Sequence, residues 1–187
     1  FRRVLFRSRL DRPIRDLRIS LIDRCNYRCP YCMPISEFGD DYEFLKRDAR
    51  LSHDEIVRMA TIMVGLGVTK LRLTGGEPLL DKNIVGLIER LAEIPGVDDL
   101  AITTNGQLLA PKAKALGDAG LKRITLSLES VDPDRFAQMS GGRGDIDAVL
   151  AGVAGAELAG FSLKINTVVQ RGVNDDGVLD VLEYFRG

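Results

Sequence analysis

From Arg15 onward, short apolar runs alternate with segments of helical period, and the alternation repeats five times. A chain of this kind buries its strands only where helices cover them, so the pattern predicts parallel βα units in one sheet, an α/β fold. The predicted strands lie at 16–22, 69–74, 98–104, 122–129 and 161–169. The predicted helices lie at 53–65, 82–94, 108–118, 146–159 and 176–186.

Side chains alternate between the two faces of a strand, and four strands are asymmetric in the same way. In "DLRISLI", Leu17, Ile19 and Leu21 oppose Arg18 and Ser20; in "KLRLTGG", Leu71 and Leu73 oppose Arg72 and Thr74. In "ITLSLES", Ile124, Leu126 and Leu128 oppose Thr125, Ser127 and Glu129, and in "SLKINTV", Leu163, Ile165 and Thr167 oppose Lys164 and Asn166. If the apolar faces meet the helices, a curved sheet gathers Arg18, Arg72 and Lys164 around one cavity. Burying a cation without a counter-charge costs several kcal/mol, so converging cations imply a bound anion such as a phosphorylated substrate. The alternative is that they pair with Glu129 or Asp23, or sit at the rim in water.

Two short loops follow strands: "GGEP" at 75–78 and "TTNG" at 103–106. In parallel βα folds ligands collect at the carboxyl ends of strands, where these loops lie, and Gly75 and Gly76 allow close approach to the backbone. A tight turn before a helix would explain either loop equally well. Ser52 and Glu55 have capping-box spacing at the start of the first helix, which makes His53 an exposed helix-start residue rather than a metal ligand. No GxxxxGK[ST] motif is present, so a nucleotide here is not held by a P-loop.

The 187 residues are 45% hydrophobic and 28% charged with a formal net charge of -1, the balance of a single globular domain rather than a nucleic-acid binder. No apolar run approaches the ~18 residues of a membrane span, and no signal-peptide pattern opens the chain, so the cytoplasm is expected and no membrane or nucleic-acid partner is. Residues 1–9, "FRRVLFRSR", are read as an extension ahead of a core domain spanning 10–187, with a basic targeting segment as the alternative.

All three cysteines, Cys25, Cys29 and Cys32, fall in "CNYRCPYC", just after the first strand. An odd thiol count packed this closely argues for metal chemistry over a disulfide framework. Zinc and an iron–sulfur cluster compete for thiolates. A structural zinc normally takes four ligands in two pairs, and no second pair exists; a [4Fe-4S] cluster held by three thiolates leaves one iron open to an outside ligand.

The spacing CxxxCxΦC, with aromatic Tyr31 at Φ, resembles the radical S-adenosylmethionine (SAM) enzymes. That resemblance implies a partial (βα) barrel of about five units, a [4Fe-4S] cluster, and SAM chelating the open iron and yielding a 5'-deoxyadenosyl radical. "RPIRDLRISLIDRCNYRCPYCMP", "LRLTGGEPLL", "ITTNG", "ITLSLES" and "LKINTVVQRGVND" are similar to the GTP 3',8-cyclase subfamily of molybdenum cofactor biosynthesis. By that resemblance Cys25, Cys29 and Cys32 ligate the cluster; Tyr31, Gly76 and Ser127 contact SAM; and Arg18, Arg72, Thr103 and Lys164 fall on GTP-binding positions. No further catalytic residue is assigned. The subfamily pattern includes a second [4Fe-4S] cluster on three more cysteines, and no cysteine follows Cys32, so a C-terminally truncated chain lacking the sixth strand, inactive or impaired alone, is expected. The electron donor is unassigned, and a homodimer of the full-length protein stays open. A peptide maturase, a glycyl-radical activating enzyme, and a non-catalytic iron–sulfur or zinc module are the other readings of these cysteines.

Overall fold

The structure is a computed structural model describing residues 12–186; the expected extension at 1–9 lies outside the described residues. Five strands, β1 (Asp16–Ser20), β2 (Lys70–Thr74), β3 (Asp99–Thr104), β4 (Arg123–Ser127) and β5 (Ser162–Asn166), form one sheet in the order of the sequence. Every neighbouring pair is parallel. A sheet that never reverses strand order steps one way with each right-handed crossover, and so makes an arc of a barrel rather than a doubly wound sheet.

The helices are α1 (His53–Gly65), α2 (Ile84–Ala92), α3 (Ala113–Asp118), α4 (Pro133–Met139), α5 (Ile146–Leu158) and α6 (Val178–Tyr184). The capping box at α1 is present, with Ser52 Oγ accepting from Glu55 N–H and Glu55 Oε2 accepting from Ser52 N–H at 2.8 Å. His53 is not simply exposed: it is half-buried, and its Nε2 lies 2.8 Å from Asp81 Oδ2, tying α1 to the turn before α2. On α2, Ile84, Leu87, Ile88 and Leu91 repeat at helical spacing and are all fully buried.

The strands' apolar residues do face the helices: Leu71, Leu73, Leu100, Ile102 and Ile124 share one core with residues of α1, α2, α3 and α5. A second cluster, Leu126, Leu128, Phe136, Val149 and Val153, closes around Tyr27, and Cys25 and Cys29 pack against it.

One predicted helix starts late, the strand expected over 161–169 covers only Ser162–Asn166, and one helix was not predicted. The helix expected over 108–118 begins only at Ala113, because Pro111 has no N–H to give and disfavours helical backbone at Ala110; 107–112 form turns instead. Helix α4 had no sequence prediction, although Asp132 and Pro133 supply a start signal: Asp132 accepts from Arg135 N–H at 2.9 Å, with Pro133 in the first turn. Among the described residues no helix is long and apolar enough to cross a membrane.

Candidate active site

Strand ends bring four loops together at the carboxyl edge of the sheet. Gly76 N–H donates to Ile22 C=O at 2.6 Å and Glu77 N–H to Arg24 C=O at 2.9 Å, so the loop after β2 lies along the stem of the cysteine loop. The fit admits no side chain: a Cβ on Gly76 would stand 2.2 Å from Arg24 O, and Gly75 holds φ +145° with Ile22 O 2.4 Å from where its Cβ would be. The close approach expected at these glycines is thus taken, on this side, by the chain itself. Glu77 then turns inward, 1% exposed, and its carboxylate accepts from Leu79 N–H, Thr104 Oγ1 and Asn105 N–H at 2.9, 2.7 and 2.8 Å. Burial pushes its pKa up against those three donors.

The cysteine loop is built from within by Arg28, 6% exposed. Its guanidinium donates to the carbonyls of Cys25, Tyr27 and Phe38 at 2.9, 2.8 and 2.6 Å, fixing the turn between the first two cysteines. Cys32 and Met33 N–H groups both bond Cys29 C=O, at 3.0 and 2.9 Å, which folds the third cysteine back toward the second. Asn105 of "TTNG" reaches across to Asn26 Oδ1 at 2.8 Å. Tyr31 donates its hydroxyl to Glu129 Oε1 at 2.7 Å, joining the loop to the chain just beyond Ser127, the last residue of β4. The sequence patterns gave no role to Arg28, Asn105 or Glu77, though all three lie in motifs singled out above.

Cys25 and Cys29 are half-buried and Cys32 is exposed. Desolvation pushes the Cys29 thiol up to about 12 and raises Cys25 as well. Among the described residues no three His, Cys, Asp or Glu side chains gather around a single metal ion. In a [4Fe-4S] cluster each thiolate takes a separate iron, so its sulfurs stand farther apart than the donors of one ion; three soft donors on one loop fit that group better than zinc. Two buried atoms of the same loop, Asn26 Nδ2 and the Tyr27 hydroxyl, have no protein partner and are suited to a group rich in acceptor sulfur.

The face of the sheet away from the helices carries the polar residues in rows set by the strand register. One row is Arg18, Arg72, Ala101, Arg123 and Ser162; the next, two residues nearer the cysteine loop, is Ser20, Thr74, Thr103, Thr125 and Lys164. A cavity of about 380 Å³ opens over the first row, with Asp16, Arg18, Lys70, Arg72, Asp99 and Arg123 among its lining. Lys164 does not line it, so the three cations expected around one cavity divide: Arg18 and Arg72 sit side by side, and Lys164 stands on the far edge strand one row higher. Arg18 and Lys164 are exposed and Arg72 half-buried, so burial alone does not demand an anion. The expected counter-charges are engaged elsewhere, Glu129 with Tyr31 and Asp23 with Leu45 N–H at 2.7 Å. Among the described residues the side chains of Arg18, Arg72 and Lys164 have no hydrogen bond or ion pair.

A five-stranded parallel arc with a three-thiol loop leaving its first strand defines a class of fold and site. The chain belongs to the radical SAM superfamily, whose family model matches residues 19–185. Membership implies a [4Fe-4S] cluster and SAM. Over 96% of its length the chain is 60% identical to a GTP 3',8-cyclase of Xanthomonas campestris pv. campestris (strain B100), and over 96% it is 47% identical to the one of Staphylococcus haemolyticus (strain JCSC1435). It spans about half the length of these curated relatives, 53% in both cases. The fold is also that of Streptococcus suis SuiB in its SAM-bound crystal structure, at TM-score 0.71 and 22% identity over 91% of this chain and 37% of that one.

Proposed function

We propose that this chain carries the SAM-binding core, residues 10–187, of a GTP 3',8-cyclase, converting GTP to 3',8-cyclo-7,8-dihydroguanosine triphosphate at the start of molybdenum cofactor biosynthesis in the cytoplasm. Cys25, Cys29 and Cys32 would hold the [4Fe-4S] cluster. Cluster and SAM, when bound, would supply one-electron cleavage of the sulfonium and so the means of removing a hydrogen from the substrate. Tyr31, Gly76 and Ser127 would orient SAM: Tyr31 is held by Glu129, Gly76 offers backbone unscreened by a side chain, and Ser127 ends β4 on the same side. Arg18, Arg72, Thr103 and Lys164 would bind GTP through charge-assisted bonds. A second [4Fe-4S] cluster belongs to the further length seen in the relatives.

The observation that carries the reading is a pair of in-register arginines whose side chains form no ion pair among the described residues, on the sheet face whose upper edge bears the cysteine loop. Adjacent guanidiniums suit a polyanion such as a triphosphate better than an uncharged stretch of peptide. The test is anaerobic: the iron-loaded full-length chain should give a paramagnetic signal that changes on adding SAM, and GTP should stimulate 5'-deoxyadenosine formation above other nucleotides. Equal formation with and without GTP would overturn the reading; a zinc-filled loop would end it earlier.

A further inference from the structure

The row that holds Arg18 and Arg72 continues past Ala101 to a third arginine, and we infer that Arg123 is a further contact for the substrate's phosphate tail. The inference rests on the nucleotide reading and extends it. Register places Arg72, Ala101 and Arg123 side by side on β2, β3 and β4. Ala101 has only a methyl group there, so the floor between the two guanidiniums is open, and all three residues line the same cavity.

Arg123 is held rather than consumed by its ion pair. Its Nε and one Nη donate to the carboxylate of Asp99 on β3, a forked contact that fixes the plane of the guanidinium. The other nitrogen, Nη1, has no protein partner among the described residues. Below lies the row Asp16, Lys70 and Asp99, in which charge alternates in sign. The cavity lining thus carries four cations, Arg18, Lys70, Arg72 and Arg123, against two carboxylates, and its excess charge is positive. Asp99 feels this crowd: its pKa is lowered first by Arg123, and further by Lys70 and Arg72.

Depth gives the substrate a direction. Arg123 opens β4 and Ser127 ends it, so four residues, about 13 Å at strand rise, separate the arginine row from the level of the cysteine loop. A nucleoside triphosphate that spans this distance lies with its phosphates among Arg18, Arg72 and Arg123 and its sugar toward the loop. Contact at Arg123 should therefore depend on the number of phosphates.

The experiment compares GTP, GMP and inorganic tripolyphosphate by equilibrium dialysis on the full-length, iron-loaded chain and on Arg123→Met. Loss of one charge-assisted contact should weaken GTP and tripolyphosphate by about tenfold to a hundredfold and leave GMP little changed, so that preference for GTP over GMP falls. Iron content and the SAM-induced spectral change should stay at wild-type values. Arg123→Lys, which keeps the charge but not the fork, should recover part of the lost affinity and guards against a Met variant that fails to fold. Wild-type affinity for GTP in both variants, or equal loss for GTP and GMP, would overturn the role of Arg123. Failure of the unaltered chain to bind any of the three probes would instead overturn the nucleotide reading itself.

Discussion

The side chain that most directly couples the cofactor region to the sheet is Tyr31, one residue before the third cysteine. Its hydroxyl bonds Glu129, 5% exposed, and that bond lowers the carboxyl pKa while burial, the larger cause, raises it. Tyr31→Phe leaves a buried carboxylate short of its donor, and the expected loss is about 1–3 kcal/mol. The sign follows from which form the hydroxyl favours. It stabilises the charged carboxylate, so the gap between wild type and variant should widen as pH rises through the titration of Glu129 and narrow in acid. Urea denaturation of the two metal-free chains at several pH values checks this; a gap independent of pH would contradict it.

Between elements, the decisive contact is the loop after β2 lying along the stem of the cysteine loop. Two backbone bonds join them, and the absence of a Cβ at Gly76 is what permits the approach. Gly76→Ala places a methyl group against the Arg24 carbonyl, a backbone atom that can yield only if the stem moves. Overpacking of this kind costs about 1–3 kcal/mol, and the displaced segment is the one leading to Cys25. The expected outcome is a chain that folds with lower thermal stability and binds less than its full iron complement on anaerobic reconstitution. An alanine variant with normal iron content would show that the stem is more compliant than this contact implies.

On the scale of the whole molecule, the sheet separates its chemistry by face and by height. Apolar rows meet the helices, charged rows occupy the other face, and the thiol loop caps the carboxyl edge. The carboxylates on the charged face also contribute to stability. Arg123 holds the Asp99 carboxyl below its usual 3.8, so this contribution is complete above that value and disappears as pH falls through the folded-state pKa. Asp99→Asn should therefore be less stable than wild type at neutral pH, with the difference shrinking on acidification, as monitored by circular dichroism during acid unfolding. A difference that grows in acid would mean that Asp99 is not stabilised by its arginine.

How far the sequence alone reached is set by the range of the interactions involved. Strand alternation made the helix-facing core legible, because which face a residue takes depends only on its parity along one strand. Capping at Ser52 and the thiol spacing of Cys25, Cys29 and Cys32 were legible for the same reason, being encoded within a few residues. The alternation placed Arg18 and Arg72 on the polar face, but it could not say that Lys164 stands a row higher and on the far edge. Row height comes from the register between strands, which hydrogen bonds across the sheet decide. The same holds for Arg28 inside the cysteine loop, Asn105 reaching Asn26, Tyr31 on Glu129 and Arg123 on Asp99. In each of those pairs but the first, the partners are separated by tens of residues and meet only once the sheet has curved. Local pattern thus determined most of the elements, their faces and the three-cysteine loop; tertiary structure decided which loops touch, where the buried carboxylates find donors, and which cations are left without an ion pair.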